Sequence, residues 1–256
     1  MRKIRKKAAV ITTALLLISF SLFPADMKKL ISSWEPWEPY QYMQLDKVTG
    51  LDIQLLTAIL NNMDYEVEFL ERPWARQLVE IKMGKIDLTG GASKTPEREQ
   101  YAYFSEPYRT ESVVLYILKE KAGKIKISSL DQIAGSSFKL GVTRDYYYGE
   151  EYEKLLENPA FRRNLQEVTD EEINYKKLIG GRIDGFLGDP IVSTRGLKKN
   201  RLFSKVHVQF EVYSDDIYVM FSKKSTSPAL VAKFNKSLSE LKANGIHKGI
   251  LNKYLR

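Results

Sequence analysis

Residues 84–108, GKIDLTGGASKTPEREQYAYFSEPY, set one arginine and several hydroxyl and amide donors beside a helix start. Ile86 to Thr89 read as a short strand, and Thr95, Pro96 and Glu97 as N-cap, N1 and N2 of a helix. The free amides at such a helix end favour an anion. Arg98 follows one turn later with a planar fork that can grip a carboxylate through two parallel hydrogen bonds, and Ser93 lies in the turn before the cap. Taken alone, the same residues also fit a loop–helix junction carrying a surface arginine. The surrounding chain decides between the two.

Outward from that stretch, short apolar strands alternate with helical segments, the pattern of α/β layers with largely parallel sheets. Lys28 to Ser32, Val67 to Leu70 and Val113 to Leu118 read as strands; Asp52 to Met63 and Trp74 to Lys82 read as helices. After a Lys- and Gly-containing stretch at 119–126 the pattern restarts. Leu130 to Ala134, Glu150 to Glu157 and Glu171 to Ile179 are expected helical, and Lys139 to Val142, Leu165 to Val168 and Ile183 to Leu187 extended. Ile217 to Phe221 is expected to cross back, and Pro228 to Asn244 to close the chain with Leu230, Phe234, Leu238 and Leu241 on one face and Gly245 as a stop. A short repeat, Gly84-Lys85-Ile86-Asp87 and Gly181-Arg182-Ile183-Asp184, places one helix–strand junction in each half. A polar cluster follows each copy, Gly90 to Arg98 and Gly188-Asp189. Ligands in open α/β sheets sit at the carboxyl ends of strands, so both clusters are expected at one cleft.

The N-terminus reads as a targeting segment. Arg2, Lys3, Arg5, Lys6 and Lys7 precede an apolar run from Ala8 to Phe23, shorter than the roughly 20 residues of a membrane span. Residues 1–25 are therefore expected to be a cleaved signal peptide, and the mature protein exported, periplasmic and soluble. The full chain carries 40 Lys plus Arg against 32 Asp plus Glu; without the five basic residues of the first 25 the balance is 35 against 32. The basic character thus belongs largely to the leader, and the interspersed charges that remain give no nucleic-acid motif. There is no cysteine, hence no lipid-attachment site, disulfide or thiolate metal site. Only His207 and His247 occur, and no H-E-x-x-H, Walker A or G-x-G-x-x-G pattern is present, so no cofactor, metal or catalytic residue is expected. Ser136 to Lys139 matches S-x-x-K without K-T-G or S-D-N partners.

The run from Pro73 through Tyr108, with G-x-x-D, T-x-x-R and F-S-x-P-Y in order, resembles the periplasmic solute-binding proteins, family 3, that serve polar amino-acid ABC transporters, and the match thins out over Lys28 to Tyr254. The resemblance implies a type II periplasmic-binding-protein fold: two α/β lobes, 26–118 plus 216–256 and 119–215, joined by two crossover hinge strands and closing on an amino-acid-like ligand. It implies that Arg98 pairs with a ligand carboxylate, that Ser93 touches carboxylate and ammonium, and that the Gly91 carbonyl and Asp189 receive the ammonium. Trp37 falls at the aromatic position over the ligand and Trp74 at the pocket wall. A membrane ABC permease is the implied partner, and a monomer the implied state.

An arginine in one lobe and an aspartate in the other would make closure favourable only with a zwitterion bridging them. Asp189 also fits an N-cap before Pro190. The sequence departs from the family where Gly141-Val142 is followed by Thr143-Arg144-Asp145-Tyr146-Tyr147-Tyr148 in place of Gly-Thr, tyrosines that either narrow or reshape the cleft, with Tyr146 as a ligand contact, or form a mixed core and surface turn, and where Lys94 places a charge at a commonly apolar position. Two alternatives stay open: a sensory module that does not serve transport, and a cyclohexadienyl-dehydratase-like lyase in which Glu35, Glu38 or Glu150 takes a proton. Arg98, read as an exposed cleft residue, is expected to contribute little to stability.

Overall fold

The computed structural model describes residues 28–255; the expected signal peptide lies outside them. The first segment runs β1 Lys28–Trp34, a small hairpin of β2 Tyr42–Gln44 and β3 Lys47–Thr49, α1 Leu51–Asn61, β4 Tyr65–Glu71, α2 Trp74–Met83, β5 Leu88–Ala92, α3 Pro96–Glu99, β6 Ala102–Phe104 and β7 Arg109–Leu118. The second runs β8 Leu140–Thr143, α4 Glu150–Leu155, α5 Pro159–Arg162, β9 Leu165–Val168, α6 Glu171–Ile179, β10 Gly185–Gly188 and α7 Pro190–Lys199. β11 Val206–Ser222 returns to the first lobe, where α8 Pro228–Ala243 and α9 Ile246–Tyr254 finish the chain. The helical turn expected at 130–134 is a single 3-10 turn, Asp131–Ile133.

Strand order is β4-β1-β5-β11-β7-β10-β8-β9, with β6 also paired to β11. β1 pairs in parallel with β4 and β5, and β8 in parallel with β10 and β9, whereas the two crossing strands β7 and β11 run antiparallel to each other over Arg109–Leu118 and Val206–Ile217 and antiparallel to the strands they flank. β11 runs through both lobes, pairing with β7 in its first part and with β5 and β6 at its end. The sequence reading confines this strand to its last, apolar portion, although Val206, Val208, Phe210 and Val212 alternate with polar residues before it.

The cores follow from the side-chain periodicities. α1 turns Leu51, Leu55, Leu56, Ile59 and Leu60 inward, where they meet Phe221, Phe234 and Leu238. Along β7, Val113, Leu115 and Ile117 pack with Leu130, Ile133, Leu140 and Phe161, while Val114 and Tyr116 point the other way onto Tyr175, Leu178, Phe186 and Leu197. Residues 113–117 thus pack against residues of the second half on both faces of β7. The four-residue repeat has one physical role in both lobes. Asp87 donates its N–H to the Ile31 carbonyl (2.9 Å) and accepts from Ile31 N (2.8 Å); Asp184 makes the same pair of bonds with Lys139, at 2.8 and 2.9 Å. Ile86 and Ile183 are buried beside them. Each aspartate thus pins the start of a strand to the neighbouring strand.

Candidate functional site

The carboxyl ends of the strands meet at a cavity between the lobes, lined by Trp37, Trp74, Gly91, Ser93, Arg98, Tyr146 and Asp189, the seven residues singled out from the sequence, together with others. Each arrives by a local device. Gly91 has φ +75, a conformation that strongly favours glycine, at a bulge where β5 slips against β11; the bulge swings the strand end toward the cavity. Its N–H donates to Tyr108 Oη at 2.9 Å. Thr95 caps α3, accepting from Arg98 N, and so fixes the turn that carries Ser93 and Arg98. Asp189 caps α7, its Oδ1 accepting from Ile191 N (2.7 Å) and Val192 N (2.9 Å), while Oδ2 accepts from Tyr40 Oη of the first lobe at 3.3 Å. Asp189 is thus an N-cap whose side chain also lines the cavity.

Arg98 is not the exposed side chain expected from the sequence: 7% of its surface is accessible. Its Nη1 donates to Ser93 O (2.9 Å) and its Nη2 to Asp145 O of the opposite lobe (3.2 Å), with Trp74 over the guanidinium at 5.3 Å. Trp74 Nε1 donates to the same Asp145 carbonyl at 3.0 Å. Burial pulls the guanidinium down from its ordinary value. Lys94 is not among the walls of this cavity; it pairs with Glu99 at 3.1 Å and lines a neighbouring groove with Arg98, Tyr146 and Tyr147.

The tyrosine run shapes the cleft. Tyr148 is buried, its hydroxyl accepting from Thr143 N at 2.7 Å; Tyr147 packs edge-on against Tyr213; Tyr146 Oη donates to Glu35 Oε1 at 2.9 Å across the cleft. All three line the cavity. Glu35 in turn accepts from Trp74 N at 2.8 Å, satisfying the first amide of α2, which its own N-cap, Pro73, leaves open. With these contacts the cavity is about 40 Å3. Outward it adjoins a groove of about 600 Å3 that shares Glu35, Trp37, Tyr146 and Glu171 as walls.

Two lining carboxylates, Glu111 and Glu171, were not legible as site residues. Glu111 lies two residues beyond Arg109 on β7, hence on the same strand face. Arg109 is buried under Tyr40 at 3.9 Å and bridges Asp52 (2.9 Å) and Glu111 (2.9 Å). Burial pushes the Glu111 carboxyl up to about 8, Arg109 opposing it and Asp189 adding to it. Glu171 reads in sequence as an ordinary acidic first-turn residue, yet its Oε1 accepts from Ser193 Oγ (2.6 Å) and Tyr175 Oη (2.7 Å). Gly188 makes room for it: a Cβ there would stand 2.8 Å from Glu171 Oε1. Burial pushes Glu171 up to about 7, and raises Glu35 and Asp189 as well. Among the described residues no group of three or more His, Asp or Glu is placed to hold a metal ion, and no helix is long and apolar enough to cross a membrane.

Similar folds and sequences surround this geometry. A solved histidine kinase sensor domain with similarity to periplasmic binding proteins superposes with a TM-score of 0.78 at 20% identity, over 89% of this chain and 96% of that one. An ancestral arginine-binding protein bound to arginine gives 0.75 at 25% identity, over 90% and 100%. The probable amino-acid-binding protein YxeM of Bacillus subtilis (strain 168) is 25% identical over 219 residues, 84% of this chain and 79% of that protein. The fold is thus the two-lobed periplasmic-binding-protein fold. Residues 31–256 match the bacterial extracellular solute-binding proteins, family 3, and the chain belongs to that family.

Proposed function

We propose that this protein is an extracytoplasmic receptor for a small amino-acid-like solute, which it holds between its lobes and hands to an ABC permease. It works by hinge closure as an exported monomer and carries out no chemistry. One observation carries the reading: carboxylates and aromatic faces from both lobes converge on one interlobe cavity, with Glu35 just after β1, Glu111 on the crossing strand β7, and Glu171 and Asp189 from the second lobe. A cationic group entering between Trp37, Tyr146 and these carboxylates would gain both ionic and cation–π attraction. Relatives named as amino-acid-binding and arginine-binding proteins agree with a solute of that kind.

A thermal-shift screen of the purified mature chain against amino acids, opines, polyamines and small carboxylates tests the reading. A ligand at 100 times its Kd adds about 2.7 kcal/mol of stability, a clear rise in Tm. A selective shift is expected. No shift across the panel would overturn solute binding.

A further inference from the structure

The end of the second lobe opposite the cleft gathers positive charge from segments far apart in the chain. Strands β8 and β10 begin there, β7 ends there and β11 starts there, with Ile117 facing Gly185 and Leu118 facing Val206. α6 and α7 start at the cavity with Glu171 and Asp189, so their last turns reach the same pole. Residues 119–126 bring four lysines to it, 176–184 two lysines and Arg182, and 198–205 three lysines and Arg201; Lys139 stands just before β8. The turns Lys119–Lys121 and Phe203–Lys205 lie side by side, and Gln209 Nε2 donates to the Ile125 and Ile127 carbonyls (3.2 and 3.0 Å), which holds the 119–126 stretch beside the start of β11. Of the 35 Lys plus Arg and 32 Asp plus Glu after residue 25, these segments hold twelve and two; the rest of the chain holds 23 against 30. The molecule is therefore strongly dipolar although its overall charge is small.

Fold stability accounts for only part of this charge. Lys176, Lys177, Lys198 and Lys199 lie in the last turns of α6 and α7, where they offset the negative helix ends. The other eight lie outside the α-helices. Among the described residues only Lys121, with Asp184 at 3.4 Å, and Lys199, with Glu172 at 4.0 Å, have ion-pair partners. Burial and then the Arg182 charge pull the Lys177 ammonium down from its ordinary value, a sign of like charges held close. An anionic partner relieves that repulsion. Ten of the twelve are lysines, compact charges on flexible stems rather than forks that grip one carboxylate or phosphate. Two large apolar side chains stand exposed among them, Phe203 at 44% and Val208 at 43%, with Lys198 Nζ 5.2 Å from the centre of the Phe203 ring. Separate ammonium groups with apolar side chains between them match the boundary of an anionic bilayer, where headgroups meet the charges and the acyl region takes the ring. A soluble acidic polymer would meet the charges and leave Phe203 without a partner.

We propose that this pole of the second lobe docks on an anionic lipid surface, its lysines meeting the headgroups and Phe203 entering the interface, while the cleft at the other end of the lobe stays open to solute. The test is co-sedimentation of the purified mature chain with vesicles of phosphatidylcholine, alone or with about 30% phosphatidylglycerol, at about 50 and about 500 mM NaCl. At low salt, partitioning onto the anionic vesicles exceeds that onto phosphatidylcholine at least tenfold, and high salt abolishes it. The triple variant Lys119→Glu, Lys198→Glu, Lys205→Glu weakens it at least tenfold and Phe203→Ser at least threefold. The same charge change on exposed lysines of the first lobe, Lys85→Glu, Lys236→Glu, Lys248→Glu, weakens it less than twofold. Circular dichroism checks that each variant folds. No preference for anionic vesicles, or an equal loss in the first-lobe variant, overturns the docking. Binding to poly-glutamate as tight as to the vesicles, with Phe203→Ser without effect on either, assigns the pole to an acidic polymer and also overturns it. Each of these outcomes leaves the solute-receptor reading to the thermal-shift screen, so the two fall separately.

Discussion

Glu171 sits in the first turn of α6 with its carboxyl turned inward onto Ser193 and Tyr175 rather than toward water. Its raised value, about 7, and that of Glu111, about 8, set the direction of a pH effect. In the unfolded chain both ionise near the ordinary carboxylate value of about 4.3, so between about pH 4 and 8 the unfolded state gives up protons that the folded state keeps. Stability from these groups is full at acid pH and is lost as pH rises through the folded values. Glu171→Gln, neutral at every pH and still able to accept from both hydroxyls, is expected to lose less stability than wild type between pH 5 and pH 8. Urea midpoints at the two values check it; an identical drop in both proteins would place the proton elsewhere. The same residue shows what sequence leaves hidden. Arg98 stands out by its place at a helix start and Asp189 by its polar cluster after the repeat, while the tryptophans come only with the family resemblance. Glu171 and Glu111 look like helix-start and strand carboxylates, and only the packing of Gly188 and Arg109 against them turns them inward.

Among the elements, the strands were legible where apolar residues cluster and the helices where caps and stripes coincide, as in α1 and α8. The long first part of β11 was less so, because one side of it is exposed and its signal is alternation alone. α9, nine residues with a glycine inside, offers a weak pattern and is helical chiefly because Ile250, Leu251 and Tyr254 pack on the core. The repeated aspartates give an element-level prediction. Asp87→Ala is expected to cost about 1–3 kcal/mol, since it leaves the half-buried Ile31 N–H without its acceptor, and Asp184→Ala less, because the Lys139 N–H it serves is exposed. Denaturant unfolding of the two variants ranks them; equal costs would contradict the burial argument.

For the whole molecule, the lobes touch across the cleft through polar contacts, Tyr146 to Glu35, Arg98 and Trp74 to Asp145, Tyr40 to Asp189, and Arg195 to Glu38, and through Val192 and Ile191 of α7, which pack on the first lobe's core. Such contacts suit a hinge, because each contributes about as much as thermal motion can reverse. Tyr146→Phe removes one of them, a loss of about 1 kcal/mol, or roughly fivefold in the balance between open and closed forms. Small-angle scattering is expected to give a larger radius of gyration for this variant than for wild type. An unchanged radius would assign closure to the Asp145 carbonyl instead. The path of the chain has a consequence in time as well as in space. The second lobe's clusters draw only on residues 113–213, whereas the largest core of the first lobe joins residues near the start, Leu30 and Leu51 to Leu60, to Phe221, Phe234, Leu238 and Tyr254 near the end. A ribosome making this protein therefore releases everything the second lobe needs long before the first lobe can finish, and the half that begins first must wait, its apolar helix uncovered, for the last two helices to be made.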